Sequence, residues 1–80
     1  MHTRPMQFIE LSGKTLQQIA SHDEISPADL RAAGVTDDSF LRVNRQGDIE
    51  LRRADRWDVI GGLLGDFADR LIRETGLDWA

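Results

Sequence analysis

The chain has 80 residues, 40% of them hydrophobic and 30% charged, with a formal net charge of −4 and a sequence pI near 4.9. That length makes one domain, residues 1–80, which buries only about 60% of its unfolded surface, so oligomerisation is the expected staple. No cysteine is present, which excludes disulfides, thiolate metal sites and thiol chemistry, and the acidic balance disfavours broad contact with nucleic acid or anionic membranes.

Residues 1–5 read as a loose lead-in, and MHTRPM is followed by no long apolar run. No signal peptide is expected, and a cytoplasmic protein is. Met6 to Leu11 is a short apolar run ended by Ser12-Gly13, which predicts a strand. Met6 and Phe8 point one way along it, Ile9 and Leu11 the other. Lys14 to Ser21 places Leu16, Ile19 and Ala20 at helical spacing, with Gln17 and Gln18 outward, and predicts a short helix. Ser26-Pro27 then starts a second one, with serine as N-cap, proline at the first helical position and Asp29 placed to close a capping box. Leu30, Ala33 and Val35 supply its apolar face, and Gly34 ends it.

Ser39 to Arg53 alternates with a period of two, Leu41 and Val43 against Arg42 and Asn44, then Ile49 and Leu51 against Asp48 and Glu50. This predicts a hairpin of two half-buried strands. A two-residue turn at Gln46-Gly47 mixes the faces. A three-residue loop, Arg45-Gln46-Gly47, sets Val43 against Ile49, Leu41 against Leu51 and Arg42 against Glu50, and keeps one apolar face. It also places Gly47 at the left-handed position of a type I turn with a bulge.

From Asp55 to Thr75, Trp57, Ile60, Leu64, Phe67 and Leu71 recur at alternating spacings of three and four, widened by Leu63, Ala68 and Ile72. That spacing predicts one long helix laid on the core, with Asp55 as N-cap, Gly76 as the left-handed residue after its end and Leu77 making the apolar contact that follows. Gly61, Gly62 and Gly65 lie inside this stretch and each costs about 1 kcal/mol there relative to alanine. Gly61, Gly65, Ala68 and Ile72 form a strip of small residues and one isoleucine, which admits close approach of the chain's own sheet or of a second copy. The run GGLLG lacks the ending of a phosphate-cradling loop, and Asp66, Asp69 and Arg70 exclude a membrane span. The expected architecture is α+β: a three-stranded antiparallel sheet, made of the N-terminal strand and hairpin 39–53, with the long C-terminal helix packed on it and two short helices at an end or edge.

TLQQIASHDEISPADLR resembles the helix-turn-helix pattern of small bacterial regulators. Leu16, Ile19 and Ala20 match the first-helix core, Ile25-Ser26-Pro27 the turn and Leu30 the core of the second helix. Glu24 stands where that turn usually holds glycine, and Asp23 at the preceding apolar position. The resemblance covers residues 15–31. It implies a winged-helix-like DNA-binding regulator, in which Arg42, Arg45, Arg52, Arg53 and Arg56 would touch phosphates from the hairpin. The helix from Pro27 to Ala33 offers Asp29 and Arg31 and then alanines, a poor set for reading bases. The same five arginines also read as a solvated hairpin face with cross-strand pairs, or as contacts to an acidic partner.

Catalytic stock is thin. With no Cys or Tyr, and only His2 and His22, neither a nucleophile nor a histidine acid–base pair is assembled, so no enzyme, cofactor or metal is expected. His22-Asp23-Glu24 reads as an exposed loop between helices, and Asp37-Asp38 as turn residues. A small-ligand carrier needs a pocket that 80 residues leave little room for. The leading expectation is a non-catalytic interaction module, a homodimer, binding another protein or itself, with Trp57, Gly61, Gly65, Ala68, Ile72 and Trp79 as candidate interface. Tryptophan is enriched at binding hot spots.

Overall fold

A computed structural model describes residues 7–80. His2 and Met6 lie outside the described residues, and the first strand is seen from Phe8 onward. The element order is β1 (Phe8–Ser12), α1 (Gly13–Ile19), α2 (Pro27–Ala33), β2 (Phe40–Asn44), β3 (Asp48–Arg52), β4 (Trp57–Gly62) and α3 (Phe67–Thr75). The strands form one antiparallel sheet in the order β1-β2-β3-β4.

The hairpin has the register that a single apolar face demands: Leu41 opposite Leu51, Arg42 opposite Glu50, Val43 opposite Ile49. Gly47 sits at φ 91°, in the left-handed region the bulged turn requires. Asn44 holds the turn, its side-chain oxygen accepting from the Gln46 and Asp48 amides at 2.9 and 3.0 Å. Alternation then turns Ile9 and Leu11, Leu41 and Val43, and Ile49 and Leu51 to one side, where all six are buried. Leu16 and Ile19 of α1, Ile25, Leu30 of α2, Val35, Leu63 and Leu71 of α3 complete the core on that side.

The long helix is corrected. Asp55 to Thr75 divides into β4 and the nine-residue α3, and the sheet has four strands where three were expected. Three glycines tax a helix across 61–65, while Trp57, Val59 and Ile60 fit a pleated surface. As a strand this segment also pairs backbone groups of β3 that a three-stranded sheet would leave at an edge. Asp55 therefore caps nothing. Asp66 precedes α3 without a side-chain capping bond, and Gly76 ends it at φ 74° with its amide donating to the Ile72 carbonyl at 3.0 Å. Leu77 packs against the core as expected.

Both short helices are present. Ser12 is at once the last residue of β1 and the N-cap of α1, accepting from the Thr15 amide. Ser26 and Asp29 close the capping box on α2 with bonds of 3.1 and 3.2 Å. At the C-terminus, Ala80 exchanges two backbone hydrogen bonds with Phe8, 2.9 and 3.1 Å, adding a rung at the outer edge of β1.

The glycine with the tightest surroundings is Gly13, which the sequence suggests only as a turn. A Cβ there would stand 1.9 Å from the Thr36 carbonyl oxygen, because the loop before β2 lies directly on the start of α1 and bonds it through the Ser39 and Asp37 carbonyls. Gly13→Ala is expected to lower stability by about 3 kcal/mol or more in urea unfolding. Gly62→Ala, whose Cβ would meet nothing closer than 3.9 Å, is expected to stay within about 1 kcal/mol of the parent.

Candidate functional site

With the helices on one side, the other side of the sheet carries its own cluster. Register places Phe8, Glu10, Phe40, Arg42, Glu50, Arg52, Trp57 and Val59 on this outer face. The Arg42 guanidinium lies between two rings, 3.7 Å from the Phe8 centroid and 4.0 Å from that of Trp57. It also donates to Glu50 Oε1 at 3.0 Å through Nη2 and 3.2 Å through Nε. A charge held so closely by rings and carboxylate explains why Glu50 is buried on a face that no helix covers. Trp57 meets Phe40 at a tilt, centroids 5.7 Å apart. Phe40 remains 48% exposed and Val59 59% exposed.

The five hairpin arginines are held separately. Arg42 binds Glu50, Arg53 binds Asp58 at 3.0 Å, and Arg56 binds Asp55 at 3.2 Å. Arg45 donates to Gln7 and lies over the Trp79 ring, and Arg52 lies over Trp57. The hairpin itself supplies the two central strands, β2 and β3, so it does not project as a wing.

The candidate interface residues are scattered. Trp57 is on the outer face of β4. Gly61 lies on the inner side, under Ile25, where a Cβ would stand 3.2 Å from its Cδ1. Gly65 is in the following loop at φ 62° with open space around it, so backbone conformation and not close packing accounts for it. Ala68 and Ile72 are on α3, and Trp79 packs edge-on against Phe67. A strip running Gly61-Gly65-Ala68-Ile72 does not form, because no single helix carries those residues.

What the structure adds is an open strand edge. The Arg53 amide donates to the Arg56 carbonyl at 2.8 Å, which makes that pair a hydrogen-bonded one. By antiparallel alternation Leu51 and Asp58 form the next, so Trp57 and Val59 turn their N–H and C=O groups away from β3. Among the described residues no hydrogen bond reaches those outward groups. The register slips by one residue between Ile49 and Glu50, leaving Ile60 as a bulge.

Leu64, 63% exposed, stands just beyond this edge, and Glu24 positions it. His22 and Asp23 are exposed as expected, but Glu24 is corrected: its side chain is only 2% exposed. It accepts from the Ser21 amide at 2.9 Å, the Leu64 amide at 2.5 Å and Arg70 Nη2 at 2.6 Å. It thereby ties the loop between α1 and α2 to the loop after β4 and to α3. Burial by itself would raise the Glu24 carboxyl. The Arg70 hydrogen bond, the two amides and the Arg70 charge outweigh it and lower the pKa from 4.5 to about 2, while the Arg70 guanidinium is raised by the same bond.

Among the described residues no three His, Asp or Glu side chains gather as a metal site, and no helix is long and apolar enough to cross a membrane. A dent of about 110 Å³ between α1 and α2, bordered by His22 and Pro27, is far below the size of small-molecule sites, about 300 Å³ and upward. Set against known protein families, curated proteins and solved structures, the chain matches none.

The lowered Glu24 pKa makes a signed prediction. Its contribution is fully present above the unfolded value of 4.5 and is lost as pH falls towards about 2. Glu24→Gln is expected to cost about 3 kcal/mol at neutral pH. Urea unfolding between pH 7 and pH 2 is expected to show parent and variant converging as the pH falls. A gap of constant size would assign the loss to shape and not to charge.

Proposed function

We propose that this chain is a small interaction module that associates with itself and binds polypeptide, without catalysis. The observation that carries the reading is the outer edge of β4, unpaired among the described residues and flanked by exposed Val59 and Leu64. A row of backbone donors and acceptors beside apolar side chains suits an added strand, where main-chain bonds supply affinity and side chains supply selection. The cysteine-free, histidine-poor composition agrees with a role in binding. The DNA-binding alternative draws less support, since Arg42, Arg53 and Arg56 are each engaged with a carboxylate and phosphate contact needs free cations.

The test is photo-crosslinking in cells expressing the chain with benzoylphenylalanine at position 59, and with the same group at exposed Gln18 as control. Position 59 is expected to yield a protein adduct, of the chain with itself or with another protein, and position 18 none. The absence of any adduct at 59 would overturn the reading.

A further inference from the structure

We propose that the occupant of the β4 edge is a second copy of this chain, paired antiparallel about a twofold axis passing beside Val59. The proposal rests on the reading of this edge as the recognition surface and names what occupies it.

Three observations lead there. First, the edge is only partly guarded: Trp57–Gly62 contains no lysine or proline, its one charge, Asp58, is turned to Arg53 on the neighbouring segment, and the bulge at Ile60 leaves the stretch before it open. Second, charge around the strand is polarised along its length. At its start Arg53 and Arg56 are balanced by Asp58 and Asp55, which leaves Arg52 as the excess positive charge, while exposed Asp66 and Asp69 follow its end. Arg70 beside them is committed to Glu24. Antiparallel pairing of two copies lays the basic start of each strand beside the acidic end of the other, whereas parallel pairing would set like against like. Third, the exposed apolar side chains are distributed to match. Val59 lies near the strand's middle and Leu64 just past its end, so Leu64 of each copy reaches towards the Trp57 end of its partner.

The register follows from the outward groups. Hydrogen bonds across the edge come from Trp57 and Val59 before the bulge and from Gly62 after it, since Gly61 is turned to Ile49. Pairing Trp57 with Val59 sets Asp58 directly opposite Asp58, a like-charge pair at the close spacing of about 4.5 Å. Pairing Trp57 with Trp57 overlaps only the first part of each strand. Pairing Val59 with Val59 sets Asp58 opposite Ile60 and joins the two sheets into one of eight strands. Because the bulge at Ile60 turns Gly61 back to Ile49, the ladder in this register is the pair of hydrogen bonds between the two Val59 residues, so the contact is at the small end of specific interfaces and the dimer reversible.

Because Val59 faces itself across such an axis, opposite charges placed there distinguish this pairing from others. The experiment is sedimentation velocity on the full chain over a rising concentration series, for the parent, Val59→Lys, Val59→Glu and an equimolar mixture of the two variants, with circular dichroism confirming that each is folded. The parent is expected to pass from monomer to dimer. Each variant alone is expected to dimerise at least about tenfold more weakly, and the mixture to recover association. A parent that stays monomeric, variants that dimerise like the parent, or a mixture no better than either variant would overturn the proposal. A monomeric parent whose position 59 still crosslinks to a different protein would overturn self-pairing while leaving the recognition reading in place.

Discussion

Six side chains hold the rest of this molecule in position: Ile9 and Leu11, Leu41 and Val43, Ile49 and Leu51. They come from three adjacent strands and all turn to one side of the sheet. In an antiparallel pair a slip of one residue would send each strand's apolar set to the opposite face. Burial of one face therefore sets the register, and the register sets everything mounted on the other. Arg42 meets Glu50 because Val43 must meet Ile49. Trp57 and Val59 stand outward because Leu51 and Ile49 point inward.

A domain of this size has too few apolar residues to clothe both faces of a four-stranded sheet with helices. α1, α2 and α3 all gather on the inner side, and the outer side is served by stacked rings around a single guanidinium. This local solution covers Glu50 but leaves Phe40 and Val59 in water. It also leaves the two edges unlike each other. β1 carries the backbone rung from Ala80 at Phe8, whereas the outward groups of β4 find no partner among the described residues.

Glu24 links the helical layer to that open edge. A carboxylate withdrawn from water must be compensated by donors, and its donors come from three places in the chain: Ser21, Leu64 and Arg70. Holding the Leu64 amide fixes where β4 ends and where Leu64 projects. An electrostatic tie on the helical side thus shapes the surface proposed for recognition. The cost of building it is visible in Arg70 Nε, which is buried without a hydrogen-bond partner among the described residues.

Local chemistry was readable wherever it needed only neighbours in sequence. The capping box of Ser26 and Asp29, the left-handed glycines at 34, 47 and 76, and the hairpin register all follow from side chains within a few residues of one another. The strand β4 was hidden for a physical reason. Its bulge at Ile60 breaks the period of two, so that Trp57, Ile60, Leu64 and Phe67 imitate the spacing of a helix. The short run of tryptophan, valine and isoleucine closed by Gly61-Gly62 was the signal for a strand. Glu24 could not be recognised at all, because its partners lie 40 and 46 residues away. Sequence alone determined which segments cap, turn and alternate, since those preferences are local. Only the tertiary structure decided that 57–62 completes a sheet, that the Glu24 side chain is buried and that one edge stays open, because each depends on what the folded chain brings alongside.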